Sequence, residues 1–139
     1  MTCEELLFLI VDDEPDMCWL LEHLLKREDY SVKKASSGRE AMKLMETHTF
    51  SLAFVDLKLH DIEGLELARC FKRVDPSLRI IMVSGFCYKD DPTVQEALTE
   101  GLICDFIPKP FLHSDIVRSI ESARCLRLES NQVMHGFPK

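Results

Sequence analysis

A chain of 139 residues has room for one compact domain with a full hydrophobic core, and not comfortably for two. Its hydrophobic share of 46% and charged share of 29% are those of an ordinary globular protein, while a formal net charge of −7 argues against nonspecific binding to nucleic acid or an anionic membrane. The six cysteines (Cys3, Cys18, Cys70, Cys87, Cys104, Cys125) form no C-x-x-C pair and no short-spaced Cys/His cluster, so they read as reduced thiols of a cytoplasmic protein rather than disulfides or a zinc site.

The opening M-T-C-E-E lacks the basic region of a signal peptide, and the apolar run 6–11 is too short to span a membrane. That run, L-L-F-L-I-V, reads as a buried strand. Over 16–28, apolar Met17, Leu20, Leu21, Leu24 and Leu25 recur at the spacing of one helix face. A short strand is expected at 30–35, a Ser-Ser-Gly turn at 36–38, and a helix at 38–47 with Ala41, Met42, Leu44 and Met45 inward. A third strand follows at 52–55, then a polar loop to Gly64 and a helix over 65–74 that Asp75-Pro76 stops. The run 78–83 is a fourth strand. A loop over 84–92 leads to a helix at 93–100, which Gly101 can end. The fifth strand is expected at 102–107 and the last helix at 112–128, with Ile116, Val117, Ile120 and Ala123 on its inner side. The expected domain is 1–128, with 129–139 as a tail or the start of a linker to a further domain.

Continuous apolar strands imply a sheet covered on both faces, hence parallel and α/β. The right-handed crossover rule leaves a doubly wound, flavodoxin-like five-stranded sheet as the simplest topology, in order 2-1-3-4-5, with its site at the strand carboxyl ends. There stand Asp12, Asp13 and Glu14 after the first strand, Asp56 after the third, Ser84 after the fourth and Lys109 after the fifth. Singly each has a plain alternative: Asp12 or Asp13 caps the first helix through Pro15, Asp56 caps a turn, Ser84 merely ends a strand, and Lys109 is solvated. Their recurrence at equivalent places in four βα units favours one shared site. Hard oxygen ligands clustered there suit Mg²⁺.

Five stretches together resemble the receiver domains of bacterial response regulators in two-component systems. They are L-I-V-D-D-E at 9–14, A-F-V-D-L-K-L at 53–59, D-I-E-G-L-E-L at 61–67, I-I-M-V-S-G at 80–85 and D-F-I-P-K-P-F at 105–111, and the resemblance covers 6–126. It implies that Asp56 is a phosphoacceptor forming an aspartyl phosphate. It implies that Asp13 ligates Mg²⁺ directly and Asp12 mainly through water, with Asp56 and the backbone carbonyl of Lys58 completing the set. Lys109 would neutralise a phosphoryl oxygen, Ser84 would hydrogen-bond the arriving group, and Phe106 would be the aromatic switch. The Lys109-Pro110 bond would be cis. The phosphodonor would be a sensor histidine kinase or a phosphotransfer protein. The surface formed by the fourth helix, fifth strand and fifth helix, near 94–98 and 106–117, would report phosphorylation and is the candidate dimer face.

The chain departs from that pattern at three places. His60 stands where proline is frequent, the stretch 86–92 is longer than usual, and Gly101-Leu102-Ile103 replaces a Gly-Ala pair, as a one-residue insertion would. Lys58 and Phe86 occupy positions that in relatives govern the access of hydrolytic water, so they are expected to set phosphate lifetime. Two other functions stay open at this level: a Mg²⁺-dependent phosphohydrolase using an aspartyl phosphate, and a phosphorylation-independent binding module. Against the first, Lys58 stands where such enzymes place a second acid. No DNA-binding or ATPase motif lies within the chain, and the downstream effector is not legible.

Overall fold

In the computed structural model, residues 6–85 and 90–134 are described, with side chains to Ala123. Five strands and five helices alternate: β1 (Leu7–Val11), α1 (Pro15–Arg27), β2 (Ser31–Ala35), α2 (Gly38–Thr47), β3 (Leu52–Asp56), α3 (Gly64–Val74), β4 (Arg79–Ser84), α4 (Pro92–Thr99), β5 (Asp105–Pro108) and α5 (His113–Met134). All neighbouring strands run parallel, in the order β2-β1-β3-β4-β5 that the sequence implied.

Strand alternation divides the core into two layers. Leu9, Val11, Ala53, Val55, Ile80, Met82 and Phe106 face one side of the sheet, packed with Ala41, Met45, Leu67, Phe71, Val94 and Ala97 of α2, α3 and α4. Phe8, Ile10, Leu52, Phe54, Ile81, Val83 and Ile107 face the other, against Leu21 and Leu25 of α1 and Ile116, Ile120 and Ala123 of α5. Every residue of β3 is buried, so neither face can accept a polar side chain unless it is paired. At the sheet edge, β2 keeps Lys33 and Lys34 exposed, which discourages further strand pairing. Cys18, Cys70 and Cys104 are free thiols, and burial pushes Cys18 and Cys104 up to about 11, which keeps both uncharged.

Two boundaries differ from the sequence reading by more than one residue. The fifth strand begins at Asp105 rather than 102, because the amides of Leu102 and Ile103 both turn back to the Ala97 carbonyl (2.9 and 3.3 Å). With Gly101 at φ +80° and its amide on the Leu98 carbonyl (3.2 Å), these bonds close α4 in a Schellman motif. Leu102 and Ile103 are therefore buried as a helix cap and not as a strand. Asp29 (φ 68°) plays the glycine part in the same motif at the end of α1, where the Tyr30 amide reaches the Leu25 carbonyl (3.1 Å). Finally, α5 continues to Met134, past the expected end at 128. Among the described residues, no helix is long and apolar enough to cross a membrane.

Candidate functional site

The strand carboxyl ends bring the expected groups to one edge. The Asp12 amide donates to the Ala35 carbonyl (3.1 Å), which prolongs the β1–β2 ladder by one residue and fixes Asp12 at 2% exposure. Its Oδ1 accepts from the Glu14 amide (2.9 Å), and the Cys18 thiol donates to its carbonyl (3.1 Å). The N-cap of α1 is Glu14, whose side chain makes no capping bond, so the helix-cap reading of Asp12 and Asp13 does not hold.

Asp56 is the last residue of β3, in register with Val83, rather than the first residue beyond the strand. It is 3% exposed, and its Oδ1 accepts from the Lys58 amide at 3.2 Å. Ser84 likewise ends β4, fully buried and registered with Pro108. The Lys109 amide donates to the Ser84 carbonyl (2.9 Å), and the Lys109-Pro110 bond is cis. The Lys109 ammonium, 12% exposed, lies 3.0 Å from Asp12 Oδ2, 3.0 Å from Glu14 Oε1 and 3.5 Å from Asp56 Oδ2. A randomly solvated lysine is thereby excluded.

Carboxylate oxygens of Asp12, Asp13 and Asp56 all lie within 4.8 Å of one another. Two of these acids are buried with a single ammonium between them, so the pocket is short of positive charge. Burial is the main reason that Asp56 rises from 3.8 to about 6; the Asp12 charge adds to it, while Lys109 and the Lys58 amide pull it back. For Lys109, burial pulls down, but hydrogen bonds to Glu14 and Asp12 and the charges of Asp12 and Asp56 outweigh it and hold the ammonium above its ordinary value. An all-oxygen donor set of this kind, with surplus negative charge, fits Mg²⁺.

The loop after β3 is held from three directions. Lys58 and Glu63 form an isolated antiparallel bridge, and the Gly64 amide donates to the Leu57 carbonyl at 2.8 Å. Asp61 reaches across to α2, accepting from the amides of Gly38 (3.0 Å) and Arg39 (3.1 Å), bonds that pull its carboxyl below the usual range. Gly64 must lack a side chain, because a Cβ there would collide with the Asp56 carbonyl and the Leu57 Cα. The roles of Glu14, Asp61 and Gly64 escaped the sequence reading. Only the D-I-E-G wording hinted at the last two, since these contacts join residues distant in the chain. His60 is exposed, with Nδ1 3.5 Å from Asp13 Oδ2.

Phe106 is buried in the layer that contains Val94, Ala97, Leu102 and Ile103. Of the expected reporting stretch 94–98, Val94 and Ala97 turn into this core, leaving Gln95 and Glu96 outside. Phe86 and most of the long loop before α4 lie outside the described residues.

Residues 8–121 match the family described as the response regulator receiver domain. The transcriptional regulatory protein ZraR of Escherichia coli K12 is 28% identical over 123 residues, an alignment covering 88% of this chain and 27% of that protein. The chain thus spans about a quarter of that relative's length. Among solved structures, a CheY-like response regulator receiver domain protein from Methanospirillum hungatei superposes with a TM-score of 0.79 at 26% identity, covering 96% of this chain and all of that one. A response regulator from Burkholderia pseudomallei, solved with a phosphorylated aspartic acid, calcium ion and citrate, has the same fold (TM-score 0.75, 24% identity, 91% of this chain and 73% of that one).

Proposed function

This chain belongs to the response regulator receiver domain family, and we propose that Asp56 is its phosphoacceptor, taking a phosphoryl group from a sensor histidine kinase or a phosphotransfer protein in a cytoplasmic phosphorelay. The observation that carries the reading is the meeting of Asp56 with Asp12, Asp13 and Lys109, from three different βα junctions, at one buried edge.

The division of labour follows from position. Asp56 offers the nucleophilic oxygen. Its acceptor bond from the Lys58 amide keeps one oxygen occupied and leaves the other toward Lys109. The carboxylates of Asp12, Asp13 and Asp56, with the Lys58 backbone carbonyl, would hold Mg²⁺, with Asp12 acting mainly through water. Bound there, the ion supplies charge neutralisation between the attacking carboxylate and the phosphoryl oxygens. Lys109 neutralises another phosphoryl oxygen as a point charge. Ser84, beside the Lys109 backbone, donates its hydroxyl to the new group, and Phe106 follows it as the switch. The altered face, α4, β5 and α5, then changes its affinity for an effector or a second copy, in proportion to the difference between the two states. The receiver unit is residues 1–128, and the last turns of α5, to Met134, fall within the tail or linker of 129–139.

Intact-mass measurement after incubation with Mg²⁺ and a small acyl phosphate tests the reading. One labile phosphoryl adduct is expected, absent from Asp56→Asn. No adduct with any donor would indicate a binding module, and donor turnover without accumulation would indicate a phosphohydrolase.

A further inference from the structure

The third acid of the D-D-E run has no part in the reaction described above, yet it takes a third of the coordination of Lys109. Glu14 Oε1 lies 3.0 Å from Nζ, as close as Asp12 Oδ2 and closer than Asp56 Oδ2 at 3.5 Å. Nζ donates to Asp12 and Glu14, while the Asp56 oxygen stands farther off at ion-pair distance. A phosphoryl group on Asp56 brings charged oxygens that draw Nζ toward themselves at the expense of Asp12 or Glu14.

Solvation decides which partner that is. Asp56 gives up its carboxylate charge when the acyl phosphate forms, whereas the Asp12 side chain, 2% exposed, would be left as a buried charge short of a partner, a costly state. The Glu14 side chain is 63% exposed and returns to water at little cost. Nor does Glu14 hold the helix start, since it makes no side-chain capping bond.

We propose that Glu14 is a positioning residue that parks Lys109 in the resting state and yields it to the phosphoryl group, thereby setting how readily the site accepts that group. Because the contact is exposed on the glutamate side, its loss should matter by a modest factor, about two- to fivefold. The inference rests on the phosphoacceptor role of Asp56.

Beryllofluoride, a phosphoryl mimic, provides the test by titration into Mg²⁺-loaded protein, followed by the near-ultraviolet or fluorescence signal. Glu14→Gln removes the charge and leaves only a weaker, neutral acceptor for Nζ, and should bind about two- to fivefold more tightly than wild type. Glu14→Asp keeps the charge but is shorter by one methylene and should fall short of Nζ, so it should behave like Glu14→Gln. Asp16→Asn removes a neighbouring charge without a tie to Lys109 and should stay near wild type. Equal affinity of Glu14→Gln and wild type would overturn the proposal while leaving Asp56 as phosphoacceptor. So would a Glu14→Asp protein like wild type, or an Asp16→Asn protein improved as much as Glu14→Gln, since a general charge effect would then suffice. Absence of any mimic binding by wild-type protein would overturn both readings.

Discussion

Replacing Asp56 with asparagine is expected to stabilise the metal-free protein at neutral pH. The wild-type fold holds this carboxylate at 3% exposure beside buried Asp12, with one ammonium shared among three acids. Its pKa rises from 3.8 to about 6 on folding. The folded state therefore binds the proton more tightly than the unfolded state. The associated stability is fully present below pH 3.8, falls as pH rises, and is lost above about 6. At 1.36 kcal/mol per pKa unit, the ionised carboxylate opposes folding by about 3 kcal/mol at pH 7.5. Lys109 keeps Asp12 and Glu14 in the variant, so most of that amount, about 2–3 kcal/mol, should appear as a gain for Asp56→Asn. The gain should shrink to about 1 kcal/mol at pH 4.5, where the wild-type group is largely protonated when folded. Urea unfolding in EDTA at the two pH values, analysed with a common slope, measures it. Mg²⁺ should then raise the stability of the wild type far more than that of the variant, because the ion binds only the folded acidic set. A variant no more stable than wild type at pH 7.5, or a gain independent of pH, would refute the reasoning.

Other expectations rest on separate contacts. Gly64→Ala forces a methyl group against the Asp56 carbonyl and should cost about 2 kcal/mol or more in chemical unfolding, with slower phosphorylation as the β3 end shifts. Asp29→Gly relieves a left-handed residue at the end of α1 and should add about 0.5–1 kcal/mol, read as a rise in Tm. Ser119→Ala removes the 2.5 Å bond to Asp105 that ties α5 to β5 and should cost about 1–2 kcal/mol in the same assay. Lys58→Ala and Phe86→Ala should each change the rate at which the phosphorylated protein decays, followed by loss of the mass adduct; unchanged rates in both would remove these residues from control of phosphate lifetime.

Much of this molecule could be read from its residues because the signals are local. The runs at Leu9–Val11 and Ile80–Val83 lack a polar face, which demands a covered parallel sheet, and α2 matched its expected span of Gly38–Thr47. The acids, hydroxyl and lysine were found because this fold places strand ends together, and each residue stood at such an end. Failures came where partners are far apart in the chain. Leu102 and Ile103 looked like strand, since apolarity alone cannot say whether an amide bonds a neighbouring strand or turns back to Ala97. Asp61 looked like a loop acid because its partners are 22 and 23 residues away.

The pattern of residues alone thus determined a five-stranded doubly wound fold and nominated Asp56, Asp12, Asp13, Ser84 and Lys109, because periodicity and strand-end position are properties of the chain itself. Only the tertiary structure decided that Lys109 is shared among Asp12, Glu14 and Asp56, that burial raises the Asp56 pKa, and that Gly64 must be bare. Those facts depend on distances and desolvation between segments up to 97 residues apart, and no local pattern encodes them.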